Sequence, residues 1–169
     1  DEQKVTFIKD TVKPALSFSG FGGSKKNGWY NTAVKVNFTG KDELSGLDKI
    51  SASVNGKTFL DKDYSSVNTK TNHYSFTISK SDIRELINDS GSYKIVVKGE
   101  DKAGNKKTIS KIIHIDIVKP VVTLSGINKQ FYKTNPTLHI RNNEKHYKDK
   151  GAFISVVIER DKKIISRVK

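Results

Sequence analysis

The stretch Asp89-Ser-Gly-Ser-Tyr-Lys-Ile-Val-Val-Lys-Gly-Glu-Asp-Lys-Ala-Gly-Asn105, continued by Lys106-Lys-Thr-Ile-Ser-Lys-Ile-Ile-His-Ile-Asp-Ile117, decides the fold. Tyr93, Ile95 and Val97 alternate with Lys94 and Lys98, the period-two signature of a half-buried strand. Ile109, Ile113 and Ile115 repeat that alternation beyond Ala103-Gly104-Asn105, so the two runs read as a β-hairpin. Lys111 falls on the same face as those isoleucines. An ammonium is costly there unless it is paired, a bulge shifts it outward or it leaves at a strand edge.

The end of this stretch occurs twice in the chain. Phe7-Ile-Lys-Asp-Thr-Val-Lys-Pro14, followed by Leu16-Ser-Phe-Ser-Gly20, returns as His114-Ile-Asp-Ile-Val-Lys-Pro120 followed by Thr123-Leu-Ser-Gly126. From Pro14 to Pro120 the offset is 106 residues. Trp29-Tyr30-Asn31-Thr32 then matches Phe131-Tyr132-Lys133-Thr134. Self-similarity at a fixed period marks a modular array. The chain therefore divides into residues 1–12, the last strand of a preceding unit with its linker; 13–117, a complete unit; and 118–169, the first half of a second.

Within the complete unit, strands are expected at Ala15–Ser19, Ala33–Thr39, Leu47–Val54 and His73–Ile78. Asn55-Gly56 is a strong hairpin signal and returns the third strand through Lys57–Leu60. Ser81–Ile87 reads as a short helix with Ser81 as N-cap and Glu85 in its first turn. The second unit should supply strands at Val121–Leu124, Thr137–Arg141 and Ala152–Glu159, and its closing hairpin is expected to be missing. Many short strands separated by turn signals predict an all-β sandwich.

Composition narrows the partners. The 169 residues contain no cysteine, which removes disulfides and thiolate metal sites, and no eighteen-residue apolar run, so no helical membrane insertion is expected. The net charge is +13, with 12 Lys+Arg against 4 Asp+Glu from Lys119 onward. Such a surface suits polyanions or simply keeps strand faces solvated. Arginines do not cluster and no nucleic-acid-binding motif is present, so no nucleic acid partner is expected.

A family resemblance rests on Asp10-x-x-x-Pro14, Gly28-Trp29-Tyr30-Asn31-Thr32, Asp42-Glu43-Leu44-Ser45-Gly46-Leu47 and Asp101-Lys102-Ala103-Gly104-Asn105. Together these resemble the bacterial immunoglobulin-like repeats of large cell-surface and secreted proteins. Asp89-x-Gly91-x-Tyr93 is similar to the tyrosine corner of such sandwiches, with Ile95 where a core cysteine would stand. The resemblance covers the first unit; Asn143-Glu144-Lys145-His146-Tyr147 lacks the Asp-x-x-Ser-Gly loop. It implies an immunoglobulin-like β-sandwich in tandem, with the second unit incomplete. It also implies an extracellular stalk, spacer or adhesive module with no catalytic activity, whose partners are neighbouring units and a host or cell-surface glycan or protein.

Candidate chemistry is sparse. His73, His114, His139 and His146 show no metal-ligand spacing, and no nucleophile–base motif is present. Gly20-Phe-Gly-Gly-Ser24 precedes no helix and reads as a flexible connection rather than a phosphate cradle. In an immunoglobulin-type sandwich, Asp10, Asp42, Glu43, Glu100, Asp101 and Asn105 would share one end. There the set Asp10, Asp42, Glu43, Asp101 and Asn105 could hold calcium through hard oxygen ligands, or its aspartates could simply cap turns. Trp29 and Tyr30 could stack on a sugar or plug the end of the sandwich. Two alternatives to the spacer reading follow: a glycan-binding or substrate-positioning accessory module of an extracellular carbohydrate-active enzyme, and a basic module for an anionic cell-wall polymer.

Overall fold

A computed structural model describes residues 8–87, 89–126, 137–142, 156–160 and 163–168. The elements run β1 (Ala15–Gly22), β2 (Lys25–Lys26), β3 (Trp29–Tyr30), β4 (Val34–Lys41), β5 (Leu47–Val54), β6 (Lys57–Asp63), β7 (Thr71–Ile78), α1 (Lys80–Ile87), β8 (Ser90–Asp101) and β9 (Lys106–Asp116). After these come β10 (Val122–Ser125), β11 (His139–Asn142), β12 (Val156–Arg160) and β13 (Lys163–Val168). Chain contacts divide the molecule into two compact units. One holds Trp29–Ile117 with the residues up to Lys25, and the other holds the residues from Val118 on with Lys26–Gly28.

The first unit is an all-β sandwich. A three-stranded sheet has the order β1-β4-β7 and a six-stranded sheet the order β2-β3-β9-β8-β5-β6. All pairs in the β1-β4-β7 sheet are antiparallel, as are β8–β9, β5–β8 and β5–β6, whereas β3 runs parallel to β9. Alternation in the sequence becomes alternation in burial: Val34, Val36 and Phe38 of β4, Tyr74, Phe76 and Ile78 of β7, and Tyr93, Ile95 and Val97 of β8 all point into one core. Phe38 stacks on Tyr74 with ring centroids 5.0 Å apart, an offset aromatic contact inside that layer.

Gly99 shows why the core closes tightly toward the C-terminal end of β8. A Cβ there would meet Ile50 Cδ1 at 3.0 Å and Leu16 Cδ2 at 3.1 Å, so glycine lets side chains from β5 and β1 fill the gap. At the Asn55-Gly56 turn both residues have positive φ, 47° and 93°, as a type I′ hairpin requires. Asn55 also ties that hairpin to β8, its N–H donating to the Lys94 carbonyl and its Oδ1 accepting from the Lys94 N–H.

The helix is present, but its cap is not Ser81. Ser79 Oγ accepts from the Asp82 N–H at 3.2 Å, and Asp82 Oδ2 accepts from the Ser79 N–H at 2.9 Å. This reciprocal pair is a capping box with Asp in place of Glu, and Asp82 rather than Glu85 supplies the first-turn acid. Ile83 turns fully into the core and Leu86 packs beside it. Tyr93 is buried, and its hydroxyl donates to the Ile83 carbonyl at 2.9 Å. Burial and the nearby Asp89 charge push its phenol pKa up to about 12. The tyrosine thus bonds a helix carbonyl ten positions upstream and fixes α1 across the end of the sandwich.

Lys111 is exposed, and no bulge puts it there. The β8–β9 register runs unbroken through Ile95↔Lys111. Among the described residues the other side of β9 is paired only with β3, at His114 and Ile115, so Lys111 leaves over an open strand edge.

In the second unit β10 pairs antiparallel with β11, and β12 pairs antiparallel with β13. The strand Lys163–Val168 was not expected, and it gives the third predicted segment a partner within its own chain. Ile164-Ile165 beside Lys162-Lys163 is too short an apolar run to separate strand from tail by periodicity. Val5–Phe7, Phe131–Tyr132 and Asn143–Tyr147 lie outside the described residues.

Candidate functional site

The loop joining β4 to β5 and the turn joining β8 to β9 each begin on an aspartate that captures its own backbone. Asp42 Oδ1 accepts from the Gly46 N–H at 2.8 Å. Asp101 Oδ1 accepts from the Ala103 and Asn105 N–H groups, both at 2.9 Å. The same four-residue reach, Asp42 to Gly46 and Asp101 to Asn105, folds both loops. Gly46 stands at φ 85°, where a side chain is strained, and a Cβ would also press on Asn68 Oδ1 at 3.0 Å. The loops are joined directly by the Lys102 N–H donating to the Gly46 carbonyl at 3.0 Å.

The leading segment ahead of β1 is held between them. Asp10 Oδ1 accepts from the Val12 N–H at 2.9 Å, and its Oδ2 accepts from the Ser45 N–H at 3.0 Å. Asn105 Nδ2 donates to Asp101 Oδ2 at 2.9 Å and reaches the carbonyls of Asp10 and Val12, each at 3.3 Å. One amide side chain thereby links the β8–β9 turn to the incoming chain. Hydrogen bonding by Ser45, and after it by the Val12 backbone, holds the Asp10 carboxyl below its ordinary value of 3.8.

Carboxylate oxygens of Asp10, Asp42 and Asp101 lie within 4.8 Å of one another, and Asp42 and Asp101 are buried, at 4% and 1% exposure. Among the described residues no Lys or Arg forms an ion pair with any of the three. Backbone and amide N–H donors supply the compensation instead. Such oxygens are hard ligands of the kind calcium takes, and a carboxylate oxygen has lone pairs enough to serve an N–H and a cation together.

Not every expected member joins the cluster. Glu43 is 70% exposed and pairs with Lys41 at 2.5 Å. Glu100 pairs with Lys106 at 3.3 Å. The Asn105 amide nitrogen faces the cluster as a donor, so its role is to hold the carboxylates and the chain rather than a cation. Sequence reading missed Ser45, Gly46 and Ala103, which contribute main-chain N–H groups, with the Ser45 hydroxyl also donating to Asp42 Oδ1 at 3.4 Å. Their signal was the spacing from each aspartate. It also missed Lys70, whose ammonium donates to the Glu43 carbonyl and, at 3.2 Å, to the Leu44 carbonyl, bracing the loop from β7's side.

The aromatic pair separates. Tyr30 is 5% exposed and belongs to the core, which leaves its ring no face for a ligand. Trp29 is half-buried, its ring 5.2 Å from that of His114 and tilted by 37°. His114 Nδ1 is 3.0 Å from Ser92 Oγ, and His73 Nδ1 is 3.1 Å from Thr39 Oγ1, so these two strand histidines each sit in a local pair. No protein-family model matches this chain, and no curated protein matches it.

Proposed function

We propose that this chain is a non-catalytic, immunoglobulin-like stalk or spacer of a bacterial cell-surface or secreted protein, arranged as a tandem repeat with neighbouring units. The single observation carrying this reading is the latch of Asp10 and Asn105, which joins the incoming chain to two loops of the sandwich. A spacer transmits geometry only if the chain enters each unit through a fixed joint. The strand order, with β3 parallel to β9 across from β1-β4-β7, supports the immunoglobulin-like reading. The antiparallel pairing of β10 with β11, like that of β1 with β4, supports the repeat.

Exposed apolar side chains at Ile8, Val12 and Leu44 suit an end covered by an adjacent unit. Because the chain contains no cysteine, spin labels can be placed cleanly at Lys9→Cys and Lys62→Cys. A narrow distance distribution that broadens in Asp101→Ala supports the spacer. A broad distribution in the parent would reject it.

A second reading adds calcium to the same joint. It is favoured by one observation: three converging carboxylates, two of them buried, with no side-chain cation paired to them among the described residues. Calcium would be held by Asp10, Asp42 and Asp101, and would stiffen the latch rather than perform chemistry.

A further inference from the structure

The strands that border the two sheets of the first unit are not alike. β1 and β7 border the three-stranded sheet and contain no charged side chain. A register shift between Phe18 and Gly20 also breaks β1, a bulge that spoils its edge for further pairing. β6 borders the six-stranded sheet and mixes Lys57 and Lys62 with Asp61 and Asp63. On the opposite side of that sheet the short β2–β3 hairpin covers β9 only at His114 and Ile115. Residues 106–113 are left as an edge with no partner strand among the described residues. Their pairing with β8 is continuous, without a bulge, and their length suits a typical added strand of about five or six residues.

Charge singles this edge out. Residues 11–41 and 102–115, which supply β1 to β4 and all but the last residue of β9, contain nine lysines and no Asp or Glu. Residues 42–101, which supply β5 to β8 and α1, contain ten acids against eight bases. Glu100 of β8 answers Lys106 at 3.3 Å, and Asp116 at the far end of β9 is buried. Lys107 and Lys111 form no ion pair among the described residues. They stand across from Gly99 and Ile95, core-facing residues of β8, with half-buried Ile109 between them, and both are exposed. On the other face of the edge Thr108, Ser110 and Ile112 are exposed, Ile112 at 57%.

We propose that the 106–113 edge of β9 accepts an extended acidic segment of a partner protein as an added strand. The main-chain N–H and C=O groups of β9 that face away from β8 supply the ladder, and side chains supply the selection. A strand laid there turns alternate residues toward Lys107, Ile109 and Lys111. The matching pattern is acidic-x-apolar-x-acidic, which reads the same in either chain direction. Its carboxylates meet the two ammoniums as cross-strand pairs, its middle residue covers Ile109, and a residue of its other face covers Ile112. A second copy of β9 is the wrong occupant, since inward-pointing lysines on an edge repel a strand that carries the same charge. The proposal uses no residue of the Asp10 latch and stands whether or not the module acts as a spacer.

The probe is a capped peptide, Thr-Glu-Thr-Val-Thr-Glu-Val, titrated into the full chain. Amide resonances of β9 should shift saturably, and those facing away from β8 should exchange more slowly with solvent. The same peptide with Gln for Glu should bind about fivefold more weakly, for want of two cross-strand charge pairs. Two further versions carry methyl groups on one or the other alternate set of backbone nitrogens. The version whose methyls face β9 should lose binding and the other should keep it, because an added strand bonds through one side only. Lys107→Glu combined with Lys111→Glu should reverse the preference, favouring a peptide with Lys for Glu. Both positions are exposed, and an unchanged thermal melt will show that this variant folds. Equal binding of the two methylated versions, or binding untouched by the charge reversal, would overturn the proposal in favour of general attraction to a basic protein. No shift of β9 amides at millimolar peptide would overturn it outright, as would a peptide-free dimer in which this edge is already protected. Each of these results leaves the spin-label test of the latch unaffected.

Discussion

The two ends of β8 close the same sandwich by opposite means. Near Ser90 the end is sealed mainly by apolar burial: α1 lays Ile83 into the core, and the Tyr93 hydroxyl on the Ile83 carbonyl ties the helix to β8. At Asp101 the end is sealed by charge, with three carboxylates gathering main-chain N–H groups from two loops and the leading segment. Apolar closure is insensitive to ionisation and tolerates little loss of volume. The carboxylate closure costs desolvation, depends on protonation, and can tie down a segment that has no core of its own.

That contrast is broken most forcefully at Ile83. Ile83→Ala should cost about 2–4 kcal/mol, read as a fall in the urea midpoint with unchanged slope, because a fully buried side chain leaves a cavity. A loss below about 1 kcal/mol would show that the helix is an ornament rather than part of the core. Asp101→Ala comes next, at about 1–3 kcal/mol, since it strands the Ala103 and Asn105 N–H groups, less the repulsion relieved between carboxylates. The double variant should be additive within about 0.5 kcal/mol, because the ends share no partner. Marked coupling would mean that the two closures are one.

The strands, their facing and the helix were legible because each rests on local alternation or a local cap. Val34, Val36 and Phe38, or Tyr93, Ile95 and Val97, could hardly face elsewhere. The N-cap slipped by two residues because Ser79 and Ser81 are equally good caps in isolation. Only the reach of Asp82 back to the Ser79 N–H separates them. The acidic end was legible as a neighbourhood but not as a mechanism. Nothing in Glu43 itself says that Lys41 will claim it, and main-chain donors such as Ala103 carry no side-chain signature. Trp29 and Tyr30 are adjacent in sequence, so strand alternation sends one ring outward and the other into the core.

Proton titration sharpens the contrast with smaller effects. Tyr93 has a raised pKa, so its stabilisation is complete below about pH 10 and is lost as pH climbs toward about 12. Tyr93→Phe should cost about 0.5–1.5 kcal/mol at neutral pH and remove that alkaline loss. Asp10 has a lowered pKa, so its contribution is present above its ordinary value of 3.8 and disappears as pH falls below it. Asp10→Asn should flatten that acid limb while leaving the alkaline one intact. The smallest effect is expected from chelator. If N–H groups suffice to hold the carboxylates, the melting temperature is indifferent to chelator and to added calcium. A fall restored by calcium, and absent in Asp101→Ala, would instead adopt the calcium reading.

The most direct test is backbone dynamics at the leading segment. Amide order parameters for Val12 and Ser45 should match those of β4, near ~0.85, and should drop at both positions in Asp101→Ala. Values below ~0.6 at Val12 in the parent protein, with β4 rigid, would contradict the latched joint on which the spacer reading rests.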